Sequence, residues 1–75
     1  MENIINFNQI GKIQTGQYKD WFVKLINDTD GETGGFYVYL IKDLDKYDTV
    51  YDTWLEFYDD INEYLTEIEC TIIWI

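Results

Sequence analysis

Seventy-five residues carrying fifteen carboxylates against five lysines, with no arginine and no histidine, make one acidic chain of net charge −10. That charge argues against binding nucleic acid or an anionic membrane, because either needs Lys and Arg to displace counterions from phosphates. One cysteine, Cys70, excludes an intramolecular disulfide framework, and no apolar run approaches the ~20 residues that span a bilayer.

Residues 1–75 read as a single domain near the lower size limit for a self-supporting core. Fourteen residues are Phe, Tyr or Trp, and large rings bury much area per residue, so a core without staples is feasible. The N-terminal MENIINFNQ has no basic segment ahead of an apolar one, which is unlike a secretory signal. A cytoplasmic protein is the expectation.

Ile4 to Ile13 mixes β-formers with Asn and Gln and predicts a first strand, with Gly11 a candidate bulge position. Thr15 to Asp20 predicts a turn. Trp21 to Ile26 and Phe36 to Ile41 predict an antiparallel hairpin, because the Asn27 to Gly35 stretch between them is dense in turn formers. Alternation places Trp21, Val23 and Leu25 on one side with Phe36, Val38 and Leu40, and these hydrocarbon sets predict the core face. Phe22, Lys24 and Ile26, with Tyr37, Tyr39 and Ile41, then form an outer face that is unusually aromatic for a solvated one.

Lys42 to Thr49 reads as an acidic connector. The next segment supports two readings. Trp54, Phe57, Tyr58, Ile61, Tyr64, Leu65 and Ile68 match the i, i+3, i+4, i+7 spacing of a helix capped by Asp52 or Thr53. Yet Thr49 to Leu55 is rich in β-branched and aromatic residues, which favours a fourth strand followed by a helix over Asp59 to Glu67. Asp59 and Asp60 then suit the first turn, whereas Glu67 and Glu69 oppose the dipole at the other end. Thr71 to Ile75 predicts a final strand, and its apolar residues on both sides point to an internal sheet position. The expected fold class is α+β: a mostly antiparallel sheet of three to five strands with one helix on one face, in the order β-β-β-(β)-α-β.

Absence of histidine removes the usual neutral-pH general base and the Ser–His and Cys–His nucleophile systems. It also removes Cys₂His₂ zinc sites, and one cysteine cannot build Cys₄. Gly31, Gly34 and Gly35 lack the spacing of a phosphate loop. Cys70 beside Glu67 and Glu69 is expected to have a raised thiol pKa and to serve as a small buried hydrophobe. Paired carboxylates for glycosidase-like chemistry need a cleft that a domain of this size hardly accommodates. Asp28, Asp30 and Glu32, and separately Asp43, Asp45 and Asp48, form oxygen-rich loops of the type that attracts calcium. The EF-hand pattern fails, with Thr33 at its sixth position and Tyr39 at its twelfth, and turn chemistry accounts for both loops. The expectation is therefore no enzyme, no metal and no cofactor.

What remains is a charge asymmetry. Asp43 to Glu69 holds ten of the fifteen carboxylates and a single lysine, Lys46. Asp52, Glu56, Asp59, Asp60, Glu63 and Glu67 are the candidate partner-binding residues, forming an acidic face for a basic protein. Phe22, Tyr37 and Tyr39 are a candidate interface, since Tyr offers contact area at small entropic cost. In size, acidity and its Tyr51-Asp52-x-Trp54 segment the chain resembles small bacterial immunity-type proteins. That resemblance covers about a third of the chain, transfers no residue roles, and implies a basic partner such as a nuclease toxin. Two further expectations stand beside it: a structural or homo-oligomerising protein of bacterial or phage origin that dimerises through the Tyr-rich face, and a DNA-mimic inhibitor of the anti-restriction type.

Overall fold

The computed structural model describes residues 4–32, 34–46 and 48–75. Thr33 and Tyr47, inside the two expected loops, lie outside the described residues. Among those described, the elements run β1 (Ile10–Ile13), β2 (Phe22–Asn27), β3 (Phe36–Asp43), β4 (Asp48–Leu55), α1 (Asp59–Glu67) and β5 (Ile72–Trp74). The strands form one antiparallel sheet in the order β4-β3-β2-β1-β5. The α+β architecture expected from the sequence is the one observed, and residues 50–56 fall mostly in a strand.

β2 and β3 pair from Phe22↔Ile41 to Asn27↔Phe36, the expected hairpin. Its loop is held by turn chemistry: Asn27 Oδ1 accepts from the Thr29 N–H (3.0 Å) and from its hydroxyl (2.7 Å). β3 and β4 run further than expected into the acidic connector, which narrows to the residues between Asp43 and Asp48. There the Asp45 N–H donates to Asp43 Oδ1 (3.0 Å).

Alternation fixes the core. Val23, Leu25, Val38 and Leu40 are fully buried on one side of the sheet with Phe36, and α1 lowers Ile61 and Leu65 onto them. Nine residues are too few for a helix to persist alone in water, so α1 exists because this apolar stripe is packed. Its start has no side-chain cap at Tyr58; instead the Asp60 carboxylate accepts from the Phe57 N–H (3.2 Å). Neither Asp52 nor Thr53 caps it, since both lie within β4. At its end, Cys70 N–H donates to Leu65 O (2.9 Å) and Glu69 N–H to Thr66 O (3.0 Å), a Schellman closure. Glu69 therefore adopts φ +55°, a left-handed conformation usually given to Gly.

Four expectations are corrected. The first strand is short: Asn8 has φ +60°, which stops extension, and its N–H donates to Leu25 O (2.8 Å). The chain before it leaves the sheet and covers the core, with Phe7 stacked on Phe36 (5.7 Å). Gly11 is no bulge, being paired in register with Val23 and with Trp74. Its missing side chain has another use: a Cβ there would sit 2.9 Å from Trp74 Cε3 and closer still to the Ile72 side chain.

β5, expected inside the sheet, is an edge strand bonded to β1 alone. Ile72 and Trp74 turn toward the core across Gly11, while Ile73 on the reverse side is 58 % exposed. Apolarity on both sides thus reflects an uncovered sheet face rather than an internal position, and three residues make the short edge that resists pairing with other chains. Finally, Ile41 is fully buried although alternation assigns it to the outer face. It sits at an irregularity: Leu40 pairs with Tyr51 but Ile41 with Thr49, so the β4 register skips a residue beside it.

Candidate functional site

α1 gathers four of the six acids singled out in the sequence. Asp59, Glu63 and Glu67 are exposed, and Asp60 is half-buried beside them. Spacing explains the grouping, because residues three and four apart share a helix face and Ile61 and Leu65 occupy the opposite one. Asp60, Glu63 and Glu67 rim a shallow open groove of about 220 Å³ whose remaining lining is Leu55 and Tyr64. Tyr64 is anchored to β4, its hydroxyl accepting from the Thr53 hydroxyl (3.3 Å). The helix is thereby tied to β4, an edge strand of the sheet. No basic residue occupies the last turn, so nothing there neutralises Glu67 against the helix dipole.

Glu56 is exposed in the link between β4 and α1. Asp52 stands apart. It pairs with Tyr39 across β3–β4 and alternates with Tyr51 and Thr53, so it projects from the sheet face opposite the helix. The six acids therefore do not form one surface. Sequence periodicity missed Leu55 and Tyr64 as the floor of the groove, and the helical matching of Tyr64 to the core stripe was the signal that hid them.

The other sheet face carries Phe22, Tyr37 and Tyr39 together, as expected. Tyr37 and Tyr39 stack with ring centroids 5.9 Å apart and planes within 1°. Trp54, opposite Tyr37 on β4, is 45 % exposed on the same face. The strand reading of Thr49 to Leu55, with the alternation of Tyr51-Asp52-Thr53-Trp54, is the one that places it there, and the helical spacing of Trp54 with Phe57 and Tyr58 is not used by the fold. Lys12 and Lys24 also lie on this face, paired with Phe22 and Tyr39, and Asp52 stands across Tyr39 from Lys24.

Cys70 is buried at the end of α1, and desolvation pushes its thiol up from 9.0 to about 11. The direction matches the sequence expectation; the cause is burial rather than Glu67 and Glu69. Between these two values the unfolded chain ionises and the folded chain does not, so this group's contribution to stability holds below pH 9.0 and is lost as pH rises through about 11. Near pH 8 the native thiol is expected to react with a disulfide reagent about a hundredfold more slowly than in denaturant. Equal rates would show that Cys70 is accessible.

Among the described residues no group of three or more acidic or cysteine side chains is placed to hold a metal ion. No helix among them is long and apolar enough to cross a membrane. Comparison with known proteins finds no family model, no curated protein and no solved structure that matches this chain.

Proposed function

We propose that this chain is a non-enzymatic binding module whose helix α1 engages a basic surface on another protein. The observation that supports it most is the groove in which Asp60, Glu63 and Glu67 stand over Leu55 and Tyr64. Carboxylates on the rim steer a cationic partner, and the apolar floor gives the contact area that charge alone lacks. A net charge of −10 adds long-range attraction to such a partner and repels nucleic acids. The helix acids from Asp59 to Glu67 span about 12 Å at 1.5 Å per residue, a compact patch suited to a protein surface more than to imitation of an extended phosphate array. Neutralisation of a basic nuclease toxin in the cytoplasm is the form of this function that size and acidity suit best.

The test is a combined Asp60→Asn, Glu63→Gln and Glu67→Gln variant. Asn at position 60 keeps an acceptor for the Phe57 N–H, so folding is preserved. Proteins captured from a lysate by the parent chain and released by salt should bind the variant at least about tenfold more weakly, with a flatter salt dependence. Equal affinity and equal salt response would remove the acidic groove from the account.

A further inference from the structure

We propose that the free edge of β4 takes up an extended, lysine- or arginine-bearing segment of the partner protein as a sixth strand. This rests on the basic-partner reading above and specifies the form in which the partner binds.

The two edges of the sheet differ. β5 is three residues long, whereas β4 runs for eight and pairs, among the described residues, with β3 alone. Tyr51, Asp52 and Trp54 are exposed, and Thr53 and Leu55 half-buried, as on an uncovered edge. No proline or lysine within β4 guards it against pairing.

The ladder fixes which main-chain groups are open. The Asp28 N–H donates to Gly35 O (2.9 Å), one pair beyond the β2–β3 register. The Ile13 N–H donates to Trp21 O (2.9 Å), one pair beyond that of β1 and β2. Bonded and non-bonded pairs alternate along antiparallel strands, so both contacts assign Phe22, Lys24 and Ile26 to main-chain bonds with β3. Phe36, Val38 and Leu40 therefore bond β4, at Leu55, Thr53 and Tyr51. The N–H and C=O groups of Asp52 and Trp54 are left facing outward, at the spacing that an antiparallel strand requires.

Side chains decide what that strand carries. A residue set opposite Thr53 or Leu55 projects to the helix side of the sheet, where Asp60, Glu63 and Glu67 share a groove with Leu55 and Tyr64. Lys or Arg suits this place, since the hydrocarbon stem covers the floor and the charged end reaches the carboxylates. Residues opposite Asp52 and Trp54 project to the other face, beside a carboxylate and an indole that is 45 % exposed. A second copy of this chain fits poorly, because it would set Asp52 and the α1 acids against their own kind with −10 on each chain.

The probe is a capped peptide of alternating lysine and valine, about eight residues long to match β4. With saturating peptide, amide exchange read by NMR should slow about tenfold or more at Asp52 and Trp54, and change little at Thr53 and Leu55, which already bond β3. The same peptide N-methylated at its valines keeps every charge but loses the donors that face β4, and should bind at least about tenfold more weakly. Equal binding of the two peptides, or saturation without slower exchange at Asp52 and Trp54, overturns strand addition while leaving the charged groove in place. Failure of the lysine–valine peptide to bind overturns it too. Protection that appears without peptide and grows with protein concentration gives the edge to a second copy and has the same effect. The combined Asp60→Asn, Glu63→Gln and Glu67→Gln variant should bind the peptide about tenfold more weakly, with the same two amides protected at saturation. Undiminished affinity there would sink the basic-partner reading itself, and this proposal with it.

Discussion

Ile61→Ala is expected to destabilise the fold by about 2–5 kcal/mol, the range for deleting a large buried aliphatic side chain that leaves a cavity. Ile61 is fully buried and is one of only two completely buried residues by which α1 holds the sheet. Small domains have total stabilities of roughly 5–15 kcal/mol, so the loss removes a large share of what is there. In a domain of this length each kcal/mol shifts Tm by roughly 4–8 °C, and a drop beyond about 10 °C should appear in thermal melts. Glu63→Ala, on the exposed side of the same helix, is the control and should stay within about 0.5 kcal/mol of the parent. An Ile61→Ala protein as stable as that control would mean that α1 turns a different side to the sheet.

Gly16→Ala should cost a similar amount for a different reason. Gly16 has φ +83°, and an added Cβ would stand 2.6 Å from Glu69 O and 2.8 Å from Ile68 O. Those are backbone atoms at the end of α1 and cannot rotate away. They are fixed by the neighbouring turn, where the Thr15 hydroxyl donates to Glu69 O (2.9 Å) and accepts from the Thr71 N–H (3.2 Å). Left-handed backbone at a non-glycine residue costs roughly 1–3 kcal/mol by itself, and the clash adds to that, for a total of about 2–4 kcal/mol. Gly34→Ala separates the two contributions. Gly34 has φ +68° with nothing within 4 Å of a Cβ, so only the conformational cost of about 1 kcal/mol applies. Denaturant melts of both variants check this, and equal losses would remove the clash as a cause.

The hairpin of Trp21 to Ile41 and the helix over Asp59 to Glu67 were legible in the sequence because each has one strong period and clear turn residues beside it. The faces of β2 and β3 were legible for the same reason, except at Ile41, where the register irregularity beside β4 goes with full burial. What the sequence concealed depended on contacts remote along the chain. Asn8 ends a run of good β-formers because its N–H meets Leu25 O (2.8 Å), a partner that local propensity cannot reveal. β5 looked internal because its composition registers apolarity and not what covers it. Asp52 and the helix acids are close in sequence and lie on opposite sides of the sheet, since a strand alternates where a helix would have gathered them.

The pairing of β1 with β5 joins Gly11 to Trp74, strands from opposite ends of the described chain. Everything between them, the consecutive β2-β3-β4 ribbons and α1, can assemble through near neighbours, but this contact must close almost the whole chain into a loop. Long closures are entropically slow, so the outermost strand is expected to dock last on the folding pathway. It should also open first in the native protein, and amide exchange at Ile72–Trp74 would then outpace exchange along β3.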